Sequence, residues 1–73
     1  MAGWNHRLMR HTHIDKGVST YWYGIHEVYY DADGNPNGWT ENVVAPFGET
    51  PEEISKEFEL MQKALLLPVI DFD

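Results

Sequence analysis

The sequence predicts a small α+β domain of order βββαβ, in which a three-stranded antiparallel meander carries one amphipathic helix packed on one face and a short C-terminal strand. Three observations carry this expectation. Tyr21 to Phe47 read as an aromatic β-hairpin built around a dense run of turn formers. Thr50-Pro51-Glu52-Glu53 combines a threonine N-cap, a proline at the first helical position and a glutamate three residues after the cap. The chain has 73 residues and no repeat, linker or low-complexity segment, so residues 1–73 form a single domain.

Trp4 to Thr12 is the first strand. It lacks clean alternation, but its Trp, Leu, Met and Thr content and the turn formers Asp15-Lys16-Gly17 after it favour an extended segment. Thr20 to Tyr30 is richer in β-branched and aromatic residues and ends at Asp31-Ala32-Asp33-Gly34-Asn35-Pro36-Asn37-Gly38. The third strand returns over Gly38 to Val44, and Pro46 limits its pairing. The helix begins at Pro51 and stops before Pro68, which cannot continue the ladder of backbone hydrogen bonds. Ile54, Phe58, Met61 and Leu65 line one side of it, widened by Leu60, Ala64 and Leu67, and this stripe is expected to dock on the sheet. Val69 to Asp73 is short, branched and aromatic and adds a last strand.

A domain this short buries little surface, and the absence of cysteine removes disulfides and thiolate metal sites. Its three Trp, four Tyr and three Phe must therefore supply much of the core. No stretch approaches the roughly 20 apolar residues of a membrane span, and the N-terminus has no signal-like apolar run. A cytoplasmic location without membrane association is expected. The net charge of −7 is uneven. Residues 1–16 carry Arg7, Arg10 and Lys16 against Asp15, whereas the remainder carries eleven acids against Lys56 and Lys63. Such a surface disfavours direct nucleic-acid binding and suits a basic protein partner.

Along the second strand, Tyr21, Tyr23, Ile25, Glu27 and Tyr29 share one face, and Trp22, Gly24, His26, Val28 and Tyr30 the other. A single helix covers one face only, which leaves several rings for a partner. The candidate partner-binding residues are Trp22, His26, Tyr30 and Trp39 for aromatic contact, and Glu41, with the helix acids, for steering. The adjacent His26 and Glu27 point to opposite faces and cannot form an acid-base dyad with each other. For such chemistry His26 retains cross-strand candidates in Glu41 and Asn42, but a lone histidine in an aromatic strand is more often a structural hydrogen-bonder.

His11 and His13 share a strand face with the spacing of a metal chelate, making them weak candidates as ligands; two ligands fall short of a structural zinc site, so no metal or other cofactor is expected. Asp31-Ala32-Asp33-Gly34-Asn35 matches the opening of an EF-hand loop, but Pro36 stands where the loop needs glycine and Asn42 where it needs glutamate, which leaves a hairpin turn. No nucleophile elbow, phosphate-binding loop or paired-carboxylate site is present, and Ser19 and Ser55 have no neighbouring base in sequence. An enzyme is not expected.

WNHRLMRH, YGIHEVYYDADGNPNGWTE, FGETPEEISKEFELMQKAL and the ending PVIDFD resemble a family of short uncharacterised bacterial and phage-associated proteins, a likeness that spans nearly the whole chain and implies no activity. Gly48-Glu49-Thr50-Pro51-Glu52-Glu53 is similar to the Gly-Asp/Glu-Thr-x-Glu-Glu helix opening of HicB-type antitoxins, whose partial RNase H-like fold has three strands, a helix and a further strand. The Pro-Gly-Cys-like segment that precedes their helix has no counterpart here, and these 73 residues leave no room for their C-terminal DNA-binding domain. The expected function is thus a non-enzymatic, protein-binding regulatory module, with the HicB-like antitoxin type that the resemblance implies as its most concrete version. The alternatives are an acidic inhibitor that mimics nucleic acid, such as a phage anti-defence protein, and a histidine-based metal binder. An uncovered sheet face or edge also admits a homo-oligomer.

Overall fold

The computed structural model describes residues 3–73 and shows a small α+β fold with a mixed four-stranded sheet and one helix. Strands β1 (Gly3–Asp15) and β2 (Val18–Tyr30) form a long antiparallel hairpin. Both outrun their predicted limits because Lys16 and Gly17 each adopt positive φ, 52° and 80°. Two left-handed residues match the natural twist of a hairpin, so pairing continues to the turn itself. Strand β3 (Pro36–Trp39) pairs antiparallel to β2, helix α1 spans Pro51–Gln62, a 3₁₀ turn follows at Lys63–Leu66, and β4 (Ile70–Asp71) pairs parallel to β1. The sheet order is β3-β2-β1-β4.

The segment between β2 and β3 is a turn organised by Asp31. Its carboxylate accepts from the backbone N–H of Asp33 at 2.9 Å and of Asn35 at 3.0 Å, while Gly34 supplies a φ of 83°. Strand β3 is shorter than the Gly38–Val44 expected. Asn37 bulges out of register between Tyr29 and Tyr30, and beyond Trp39 the backbone bonds to β2 among the described residues are those of the Thr40 and Val44 N–H groups to Glu27 and Ile25. The carbonyl of Thr40 is turned instead toward His26, which ends the ladder.

Helix α1 begins as predicted. The Thr50 hydroxyl accepts from the Glu53 N–H at 3.2 Å, and the Glu53 carboxylate reaches back to the Glu49 N–H at 2.7 Å. Gly48 has no side chain because a Cβ there would lie 2.6 Å from that of Glu53.

The docked side of the helix differs from the predicted stripe. Met61 and Ala64 are buried and Ile54 half-buried, but Phe58 and Leu65 are exposed. The α-helix gives way to the 3₁₀ turn after Gln62, and its tighter winding of three residues per turn carries Leu65 off the line of Met61. The helical end lies against β1, where Trp4, Asn5 and His6 with Leu60, Lys63, Leu66 and Leu67 line an open hollow of about 680 Å³. Met9, Val28, Met61 and Ala64 form the buried apolar core, joined by three buried histidines, His6, His11 and His26. Among the described residues no helix is long and apolar enough to cross a membrane.

Candidate partner-binding site

The hairpin register sets the site. It places His11 opposite Trp22, Met9 opposite Gly24 and Arg7 opposite His26, all on one face of the sheet. Val28 and Tyr30 continue that face, with Trp39 of β3 opposite Val28. On the other side β4 places Ile70 beside Met9, and Phe72, whose N–H donates to the Arg10 carbonyl, turns its ring to the same face.

His11 and His26 meet across the row that contains Gly24. Gly24 adds no side chain to that row, and Val43 and the Trp22 ring take the space its Cβ would need. The two Nε2 atoms lie 2.7 Å apart. The hydrogen-bond network assigns the protons: the Thr40 carbonyl can only accept, so His26 Nδ1–H donates to it at 2.9 Å. When both rings are neutral, His26 accepts at Nε2 from His11 Nε2–H. The His11 ring is stacked on Trp22, with centroids 3.7 Å apart and planes 8° apart, and on Phe72 at 4.2 Å. Burial pushes the His11 pKa below its usual value, nearby His26 pushes it further down, and Asp73 acts in the opposite direction.

Trp22 is 49% exposed and Trp39 is 37% exposed, the two accessible rings of this face. Phe72, half-buried, lies between them, 6.4 Å from Trp39. Glu41 is exposed in the segment after β3. His26 has no accessible surface. Its expected role in direct aromatic contact is therefore corrected to that of a buried hydrogen-bonder whose cross-strand partner is Thr40 rather than Glu41 or Asn42. Tyr30 is half-buried too, and its hydroxyl is occupied, accepting from Arg7 Nη1 at 2.9 Å and donating to Asn5 Oδ1 at 2.6 Å. Arg7 also donates to the Pro68 carbonyl, tying the end of the helical segment to β1.

His11 and His13 do not act together. His11 commits its Nε2 to His26, whereas His13 is exposed and its carbonyl accepts from the Thr20 hydroxyl. Among the described residues no group of three or more His, Cys, Asp or Glu side chains is placed to hold a metal ion.

Phe72 and His11 are the members that sequence reasoning did not assign to this site. Register counted back from the Lys16-Gly17 turn would have put His11 against Trp22. Nothing in the sequence marked Phe72, because its position depends on a two-residue parallel pairing with β1.

The opposite face carries its own exposed rings, Trp4, Tyr21, Tyr23 and Tyr29. Arg10 ties part of it together, lying 4.7 Å from the Tyr21 ring centre and bonding the Asp71 carboxylate at 2.8 Å. Tyr29 donates to the Glu27 carboxylate, which pushes the tyrosine pKa up.

No family model, no curated protein and no solved structure matches the chain.

Proposed function

We propose that the chain is a non-enzymatic protein-binding module that contacts a basic partner through Trp22, Trp39 and the Phe72 edge between them, with Glu41 and the acids of α1 steering the encounter. The observation that carries this reading is that two half-exposed tryptophans flank a buried, hydrogen-bonded cluster. Trp22 rests on His11, His11 bonds His26, and His26 bonds Thr40, so the accessible rings are held in place before any partner arrives. Preorganised aromatic anchors beside charged rim residues are the pattern of interface hot spots. The same cluster gives no support to catalysis, because His26 is inaccessible with both ring nitrogens engaged. A HicB-like antitoxin role, with a basic toxin as partner, is its most concrete version.

Affinity capture followed by quantitative binding to the captured protein tests the reading. Trp22→Ala and Trp39→Ala should each weaken binding at least tenfold, corresponding to about 1.4 kcal/mol, and Glu41→Lys should slow association and reduce its salt dependence. Tyr29→Ala, on the opposite face, should leave binding unchanged. Equal binding by the wild type and both tryptophan variants would refute the assignment.

A further inference from the structure

Among the described residues, nothing pairs with either side of the tip of the β1–β2 hairpin, past Thr12 in β1 and before Gly24 in β2. Strand β3 meets β2 only at Val28–Tyr30, and the following segment adds single bonds to Glu27 and Ile25. On the other side β4 pairs at Met9 and Arg10, and the Asp73 carboxylate accepts from the Thr12 N–H at 2.7 Å. Beyond these points the hairpin runs on alone to Lys16-Gly17. A lone two-stranded hairpin is marginally stable in water, and an open edge of unpaired N–H and C=O groups is a template for another strand.

The outer edge of β2 is the more open of the two. The carbonyls of Ile25 and Glu27 point to that edge, so the backbone groups of Ser19, Tyr21 and Tyr23 point there as well. Among the described residues no loop or turn backbone bond reaches these three. Open edges in soluble proteins are ordinarily guarded by lysine, proline or a bulge. From Val18 to Tyr23 the strand has none of these and reads VSTYWY.

Charge selects the occupant. Residues 12–23 hold one acid, Asp15, and one base, Lys16, so the whole net charge of −7 lies elsewhere. Two copies repel each other over most of their surface but meet without repulsion here. The exposed Ile14, Val18, Tyr21 and Tyr23 supply the apolar surface such a contact would bury.

We infer that this chain forms a two-fold homodimer by antiparallel pairing of β2 with β2 of a second copy, centred on Tyr21. Tyr21 exchanges both backbone hydrogen bonds with its counterpart, and Ser19 pairs with Tyr23 of the other copy. Tyr21 and Tyr23 of both copies then lie side by side on one face of a continuous eight-stranded sheet. The inference stands apart from the basic-partner reading, which concerns Trp22, Trp39 and Glu41.

Light scattering across a concentration series should show the mass rising from 8.5 kDa to twice that value. Tyr21→Pro removes an N–H that the monomer does not use and should hold the chain at the monomer mass, with the near-ultraviolet tryptophan signal retained. Tyr21→Cys, the only thiol in such a chain, should crosslink quantitatively under mild oxidation, since Cα atoms of a hydrogen-bonded antiparallel pair lie about 5.5 Å apart, within disulfide reach. Ile14→Cys, near the β1 edge, should not. A monomer mass at every concentration would overturn the inference. So would a dimer that survives Tyr21→Pro, or one that crosslinks through Ile14→Cys in place of Tyr21→Cys. A monomeric Tyr21→Pro that still binds the basic partner separates this contact from the proposed partner site.

Discussion

His11 and His26 share one hydrogen bond between their Nε2 atoms, 2.7 Å apart, and the Thr40 carbonyl at His26 Nδ1 decides which ring gives the proton. When both rings are neutral, donation from His26 to Thr40 leaves its Nε2 as the acceptor and His11 Nε2–H as the donor. A second added proton would set two N–H groups against each other inside a buried cluster.

Acid should weaken the fold through this pair. The folded state lowers the His11 pKa from its usual 6.5, chiefly by burial. The neutral ring is then favoured in the fold, and the unfolded chain binds more protons below that value. Stability from this group is fully present above pH 6.5 and is lost as pH falls through the lowered folded value. His26, facing His11 from β2, strengthens the effect, and Asp73 beside β4 opposes it. Denaturant unfolding measured from neutral pH downward should show a loss that begins near pH 6.5 and is shallower in His11→Gln, whose amide still donates to His26. Equal slopes in the two proteins would contradict this account.

Phe72 anchors the C-terminal segment by stacking on His11, alongside the two β4 pairings, the Arg10–Asp71 ion pair, and the Phe72 N–H and Asp73 carboxylate bonds to the backbone of Arg10 and Thr12. Because the ring is half-buried, Phe72→Ala should cost about 2 kcal/mol, roughly half the loss for a fully buried phenylalanine. Urea unfolding followed by tryptophan fluorescence measures both the loss and the changed environment of Trp22. A cost under about 0.5 kcal/mol would mean that the stack contributes little.

Gly24 and Val43 occupy one space. A methyl at position 24 would collide with the Val43 side chain, so Gly24→Ala alone should destabilise by about 1–3 kcal/mol, the range for overpacking. Val43→Ala in the same chain should recover a large part of that loss. The double-mutant cycle reads the coupling directly, and additive costs would show that the two residues do not compete.

The two sides of α1 should respond oppositely to truncation. Met61→Ala removes a core side chain and should cost about 2–4 kcal/mol, whereas the exposed Phe58→Ser should stay within about 0.5 kcal/mol. Chemical denaturation of the two variants distinguishes the observed docking side from the stripe that spacing alone suggests. A larger loss at Phe58 would favour the latter.

Where local chemistry suffices, the sequence already contained the structure. Thr50, Pro51 and Glu53 determine where the helix begins, because a cap and its reciprocal carboxylate act within one turn. Lys16-Gly17 determines the hairpin turn, since only that backbone geometry continues the twist. Alternation along β2 separates Trp22, His26 and Tyr30 from Tyr21, Tyr23 and Tyr29. Burial was harder to read, because alternation assigns a residue to a face without saying how deeply that face is covered.

By itself, then, the sequence determined which segments become strands and helix, which side chains share a face, and the acidic character of most of the chain. The tertiary structure alone decided that His26 is sealed in and bonded to His11, that Phe72 closes over them, and that α1 docks through Met61 and Ala64. These outcomes depend on groups far apart in the chain. The parallel pairing of β4 with β1 brings residue 72 to residue 11, and the switch to 3₁₀ winding turns Leu65 away from the core. Neither follows from a local rule, because each is fixed by what another segment places against it.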